Sequence, residues 1–200
     1  MIPKLKIEIC KPARKIHSGG LKIPVKSRGF TVLESIVAIF ILSLSISGAF
    51  SAIFQGLSQS NIAKDETQAF YLAQEAVEML RNKRDSNQLR RINSDPSYHW
   101  LSDISEDASD PCYFGTVCRA DAVSNSFVAC GEEWGGCPVL RQDASTFLYN
   151  YSSGPNSRFT REIRLEPINT NEISATIVIR WRKGIIQREF KVKTHFFNWI

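Results

Sequence analysis

"SRGFTVLESIVAIF", residues 27–40, opens the longest apolar run in the chain and places a single carboxylate, Glu34, four residues after Phe30. From Ser35 to Ala63 there is no charged residue, a span of 29, and the most apolar part, Ile36–Phe54, is 19 residues long. A helix of about 20 residues crosses the hydrocarbon of a bilayer. The run contains no proline, and its two glycines, Gly48 and Gly56, are of a kind tolerated in membrane helices. A secretory signal peptide carries a shorter apolar core, roughly 7–15 residues, ending at a small-residue cleavage site. Here the pattern continues without a turn signal: Pro24 and Pro96 bracket 71 residues that hold no proline. Beyond Ala63, Phe70, Ala73, Val77 and Leu80 recur at intervals of three and four, with Asp65, Gln68, Glu75, Glu78 and Asn82 mostly between them. That spacing predicts an apolar stripe on a helix. One continuous helix from Phe30 to Arg84, roughly 80 Å long at 1.5 Å per residue, is expected. Residues 30–54 form its transmembrane half and residues 55–84 its amphipathic half.

Charge divides at the same point. Residues 1–29 hold eight Lys/Arg and one Glu, whereas residues 30–200 hold seventeen basic and nineteen acidic side chains. The net charge of +5 therefore belongs to a basic leader, and a nucleic-acid partner does not follow from it. Positive charge on the N-terminal flank predicts a single-pass protein of the inner (cytoplasmic) membrane, its N-terminus cytoplasmic and its C-terminal domain exported. Cysteine usage points the same way. Cys112, Cys118, Cys130 and Cys137 fall within 26 residues of a loop-rich stretch, as expected for two disulfides in an oxidising compartment, with three connectivities open. A zinc site is the alternative, but zinc knuckles space their cysteines more closely.

The C-terminal third alternates as strands do. Phe159, Arg161, Ile163 and Leu165 share one face. Ile173, Ala175, Ile177, Ile179 and Trp181 share another, and Ile186, Arg188, Phe190, Val192, Thr194 and Phe196 a third, with a hairpin turn at Lys183-Gly184. Three strands with one apolar face need a cover, which the stripe around Phe70–Leu80 supplies. The expected fold class is α+β: a long N-terminal helix packed on a C-terminal antiparallel sheet over 158–198. The exported head, 85–200, begins with an irregular connection, 85–157, with room for a short strand or helical turn. It contains the cysteine-rich loop 112–137, which acts as its staple. Trp134, in "GEEWGGCP", either meets a partner or caps the core of that loop, the second being the default reading.

The residues heading the helix carry a family resemblance. "RGFTVLES" followed by an apolar helix resembles the class III signal of type IV pilins and type II secretion pseudopilins, and "FYLAQEAVEMLRNKRDSN", residues 70–87, is similar to the helix continuation of minor pilins. The resemblance implies that a prepilin peptidase cuts between Gly29 and Phe30. Phe30 then becomes an N-methylated mature terminus, and Glu34 becomes the fifth mature residue. It also implies a pilin-like fold and a minor pilin or pseudopilin, a structural subunit assembled into a filament through its hydrophobic helix. The implied partners are other pilin subunits, the prepilin peptidase, the inner-membrane assembly platform of a pilus or secretion system, and membrane lipid before assembly. An ammonium freed at Phe30 inside an apolar bundle is very unfavourable alone. A neighbouring subunit's Glu34 would neutralise it and set register. At the edge of a bilayer a lone carboxylate is also bearable: even at the centre it costs about 2.5–3.5 kcal/mol.

No enzyme chemistry is expected. His17, His99 and His195 are scattered, and there is no phosphate loop, His-Glu-x-x-His or nucleophile elbow. No cofactor or resident metal is expected, although calcium at Asp103, Glu106 and Asp107 or at Glu132-Glu133 stays open without the EF-hand spacing. Residues 95–143 hold nine acidic and two basic groups, residues 158–193 nine basic and four acidic, so acidic and basic regions of neighbouring subunits can face each other. DNA binding by Arg161, Arg164, Arg180, Arg182 and Lys191 lacks the aromatic pattern that would support it. The competing function is a membrane-anchored extracytoplasmic binding module whose signal anchor is never cut.

Overall fold

A computed structural model describes Gly29 and residues 31–199. The basic leader up to residue 28, Phe30 and the last residue lie outside the described residues. A single helix, α1 (Val32–Asn93), is followed by seven strands: β1 (Val117–Asp121), β2 (Ser126–Gly131), β3 (Val139–Gln142), β4 (Tyr149–Asn150), β5 (Asn156–Asn169), β6 (Glu172–Lys183) and β7 (Ile186–Phe197). The chain divides into two compact units, Met1–Ser51 and Ala52–Ile200, and α1 runs through the boundary.

In the first unit, α1 starts where its sequence provides a cap. Thr31 accepts the backbone N–H of Glu34 on its hydroxyl at 3.2 Å, the interaction of an N-cap with the third helical residue. The apolar turns that follow still carry serines, and these are satisfied internally. The hydroxyls of Ser43, Ser45 and Ser47 each donate to the carbonyl four residues back at 2.8 Å. Such back-bonding lets serine sit in a helix where water is absent.

In the second unit the helix becomes one-sided. Asp65, Ala69, Leu72, Ala73, Ala76, Met79 and Leu80 are buried, a run at intervals of three and four. The expected stripe is thus rotated by part of a turn: Phe70 is half exposed, its ring edge-on to Phe190, and the contact line follows the alanines. Small side chains at Ala69, Ala73 and Ala76 let the helix backbone come close to the larger residues of the sheet. The helix also runs beyond Arg84 to Asn93. Its last buried residues are polar, so an apolar pattern does not reveal them. The Asn87 amide donates to the carbonyls of Trp100 and Ser102, and the Gln88 amide to Asn198.

The sheet is antiparallel throughout, as expected of this α+β fold. β5 is its spine. β6 pairs with it from Phe159↔Trp181 to Asn169↔Glu172, and β7 pairs with β6 along its whole length. On the other edge of β5, β1 meets its middle (Cys118↔Ile163) and β3 its start (Val139↔Thr160). The sheet therefore recruits β1–β4 from the stretch read as an irregular connection. These strands are short, and no long alternation marks them. The β6–β7 hairpin turns at Gly184, whose φ of 62° suits the first place of a primed turn, between paired Lys183 and Ile186.

Phe159, Ile163, Leu165, Ile173, Ala175, Ile177, Ile179 and Trp181 join the helix residues in one core with Trp100, Leu101, Ile104 and Cys112. β6 is buried on both faces, since Ser174, Thr176 and Val178 are also covered. Arg161 lies in this core fully buried, paired with Glu75 of α1 and donating to the carbonyls of Leu72 and Ala120. A charge sealed among apolar residues is tolerated when it is paired and hydrogen-bonded in this way.

Candidate functional site

The segment that begins α1 combines three observations. Gly29 has no close neighbour: a Cβ added there would meet nothing within 4 Å. Folding of the described chain thus gives no reason for glycine at this place. Glu34 lies in the first helical turn, where the N-terminal partial charge favours an anion. Thr31-x-x-Glu34 has the spacing of a capping box. The half that is formed is the Thr31 hydroxyl accepting the Glu34 N–H; among the described residues the Glu34 carboxylate has no partner. Phe30, the other residue of the expected processing site, lies outside the described residues.

The helix behind this segment is apolar on every side. Its best 18-residue window has a mean hydropathy of 2.3 and none of it is buried. Leu33, Ile36, Phe40, Leu44, Phe50 and Phe54 are among the large side chains left exposed. Exposed apolar surface of this extent marks a site of membrane or protein contact. α1 is long and apolar enough to be a membrane span or a signal anchor.

The four head cysteines form two disulfides, each between neighbours in sequence. Cys112 joins Cys118 with Cα atoms 5.1 Å apart, and Cys130 joins Cys137 at 5.0 Å. The first sits in the core beside Ile104, whose carbonyl accepts the Cys112 N–H at 2.9 Å. The second closes a loop that folds onto the face of the sheet turned away from the helix. There the buried Glu162 carboxylate accepts the N–H of Gly135 at 2.6 Å and of Cys137 at 3.3 Å, while pairing with Arg180. Arg164 donates to the Glu132 carbonyl, and the Arg164 and Arg180 guanidinium groups stand 4.9 and 5.6 Å from the Trp134 ring centre. Trp134 thus caps its own loop. Nothing in the strand pattern singles out Glu162, which sits on the opposite strand face from the apolar set.

Of the acidic residues weighed for calcium, Asp103 and Glu106 are engaged locally. Asp103 accepts from Lys83 at 2.8 Å, which with its other contacts holds its carboxyl below the ordinary range. Glu106 accepts from the Ser102 hydroxyl, and Asp110 from the backbone N–H groups of Glu106 and Asp107. Among the described residues no three His, Cys, Asp or Glu converge as a metal set. Of the basic residues weighed for DNA, Arg161 is internal, whereas Arg182 and Lys191 are exposed.

Compared with protein-family models, curated proteins and solved structures, the chain matches none.

Proposed function

We propose that this chain is a minor pilin or pseudopilin: a non-enzymatic structural subunit cut between Gly29 and Phe30 and assembled into a filament through its helix. The observation that carries the reading is an otherwise unexplained glycine and a carboxylate unpartnered among the described residues, heading a 62-residue helix whose first turns are exposed and apolar. The one-sided second half, docked on an antiparallel sheet, is compatible with a pilin-like head. Its partners in this reading are other pilin subunits, the prepilin peptidase and the inner-membrane assembly platform. The helix rests in membrane lipid until assembly, with the disulfide-bonded head exported. Once the chain is cut, the Phe30 amine of one subunit needs an anion in an apolar bundle, and Glu34 of a neighbour supplies it.

The second reading, an uncut signal anchor carrying a binding module, draws support from the place of Glu34 in the first helical turn at capping-box spacing from Thr31, where a helix N-terminus favours an anion. Two substitutions separate the readings. Glu34→Gln keeps the capping-box chemistry, because glutamine serves at that position as well as glutamate, but removes the charge. Under the filament reading, Glu34→Gln and Glu34→Ala both insert into the membrane and both fail to enter filaments, measured by shearing and immunoblot. Normal incorporation of Glu34→Gln would leave the capping role as sufficient.

A further inference from the structure

Within the Ala52–Ile200 unit, α1, β3, β4 and the start of β5 enclose a cleft of about 510 Å³ whose walls are mainly polar. The volume falls in the range of small-ligand sites, roughly 300–1,000 Å³. The cleft is built rather than incidental. Asp65, only 7 % exposed, lies on the packed face of α1, and one Arg158 nitrogen reaches both of its oxygens at 3.1 Å. The Tyr149 ring stands edge-on to Phe159, with centres 6.2 Å apart. The Gln142 amide is fixed by donating to the Phe147 carbonyl at 3.2 Å, and among the described residues its own oxygen has no partner. Gly154, at a φ of 87°, lies against the Gln142 carbonyl so closely that a Cβ there would overlap it.

Around this fixed frame stand groups that the protein leaves unused. Among the described residues, the side chains of Lys64, Gln68 and Asn156 and the Tyr149 hydroxyl have no hydrogen-bond partner. Two amides and a phenol each donate and accept, and the Gln142 oxygen adds an acceptor. A lipid tail finds too little apolar wall here. A nucleotide would need cations for its phosphates, yet Arg158 is already neutralised by Asp65, so Lys64 stands alone. A ligand matched to mixed donors and acceptors on a concave surface carries many hydroxyls, which donate and accept in turn. We infer that this cleft binds a saccharide, with Gln68, Gln142, Asn156 and Tyr149 on the ring hydroxyls and Lys64 favouring an acidic sugar. The assignment is independent of whether the chain is cut at Gly29.

The test uses the full chain, purified in a detergent without a sugar headgroup, and saturation-transfer NMR against glucose, galactose, N-acetylglucosamine, glucuronate and ATP. At least one saccharide is expected to bind saturably. Gln68→Ala and Asn156→Ala, both at side chains without internal bonds, should each weaken it about tenfold, the equivalent of one lost hydrogen bond. Their circular dichroism should be unchanged. Lys64→Gln should weaken glucuronate and spare the neutral sugars. Absence of saccharide binding, binding of ATP alone, or saccharide binding untouched by both alanine variants would overturn the assignment.

Discussion

Arg161 and Glu75 meet in the core, and their pairing differs in kind from the exposed ion pairs of the same helix. The Arg161 side chain is fully buried, and Glu75 is about one third exposed. Removing the carboxylate strands a guanidinium that keeps only two carbonyl acceptors. Glu75→Ala is expected to cost about 3 kcal/mol. Glu78→Ala breaks a half-exposed pair with Arg81 and should cost below about 1 kcal/mol. Urea unfolding of the detergent-solubilised chain, followed by the fluorescence of the buried Trp100 and Trp181, measures both. Asp143 acts at the surface. Hydrogen bonds from the Ser145 hydroxyl first, then from the Thr146 and Ser145 backbone and the Ser153 hydroxyl, hold its carboxyl well below the ordinary value of 3.8. A carboxylate with a lowered folded pKa stabilises above its unfolded value, and that contribution fades as pH falls toward the folded value. Asp143→Ala should therefore lower the melting midpoint at neutral pH and narrow the gap to wild type at about pH 3, read by thermal scans at both. An unchanged gap would remove Asp143 from the acid response.

At the scale of elements, the two disulfides close loops of similar length, spanning six and seven residues, so chain entropy alone gives each about 2–3 kcal/mol. Their surroundings separate them. Cys112 and Cys118 are sealed in the core, whereas the Cys130–Cys137 loop is also held by Glu162 and by Trp134 against two arginines. The double variant Cys112→Ala/Cys118→Ala should lose more stability than Cys130→Ala/Cys137→Ala in thermal melts. The reverse order would contradict this view of the two loops. How far such elements are legible in sequence depends on what specifies them. β5, β6 and β7 are long, so their period-two pattern assigns the correct faces. The helix is legible from its unbroken run, but its buried line is displaced because alanines, which carry little hydrophobic signal, make the contact and leave Phe70 outside. The Asn87–Gln88 end and strands β1–β4 escape detection because polar side chains and distant partners set them. The four cysteines identify themselves, but only the fold selects among three pairings.

For the whole molecule, one imbalance dominates. The Ala52–Ile200 unit builds a complete core from its own residues, while the apolar turns that open α1 bury nothing. Stability of the head therefore does not explain why those turns are apolar; they are long and apolar enough for a membrane span or signal anchor, and in the proposed reading they pack in a bundle of like helices. Gly29 and Glu34 were open to this reading from sequence because they stand in a pattern: a glycine just before Phe30 and a lone carboxylate near the start of an apolar run. In the proposed reading the group that answers Glu34 is the Phe30 amine, which exists only if the backbone is cut before Phe30. The direct measurement is intact-mass and N-terminal peptide analysis of the protein isolated from its native membrane or filaments. A chain beginning at N-methylated Phe30 is the predicted result. A chain that still carries residues 1–29 would contradict the account and leave an anchored domain in its place.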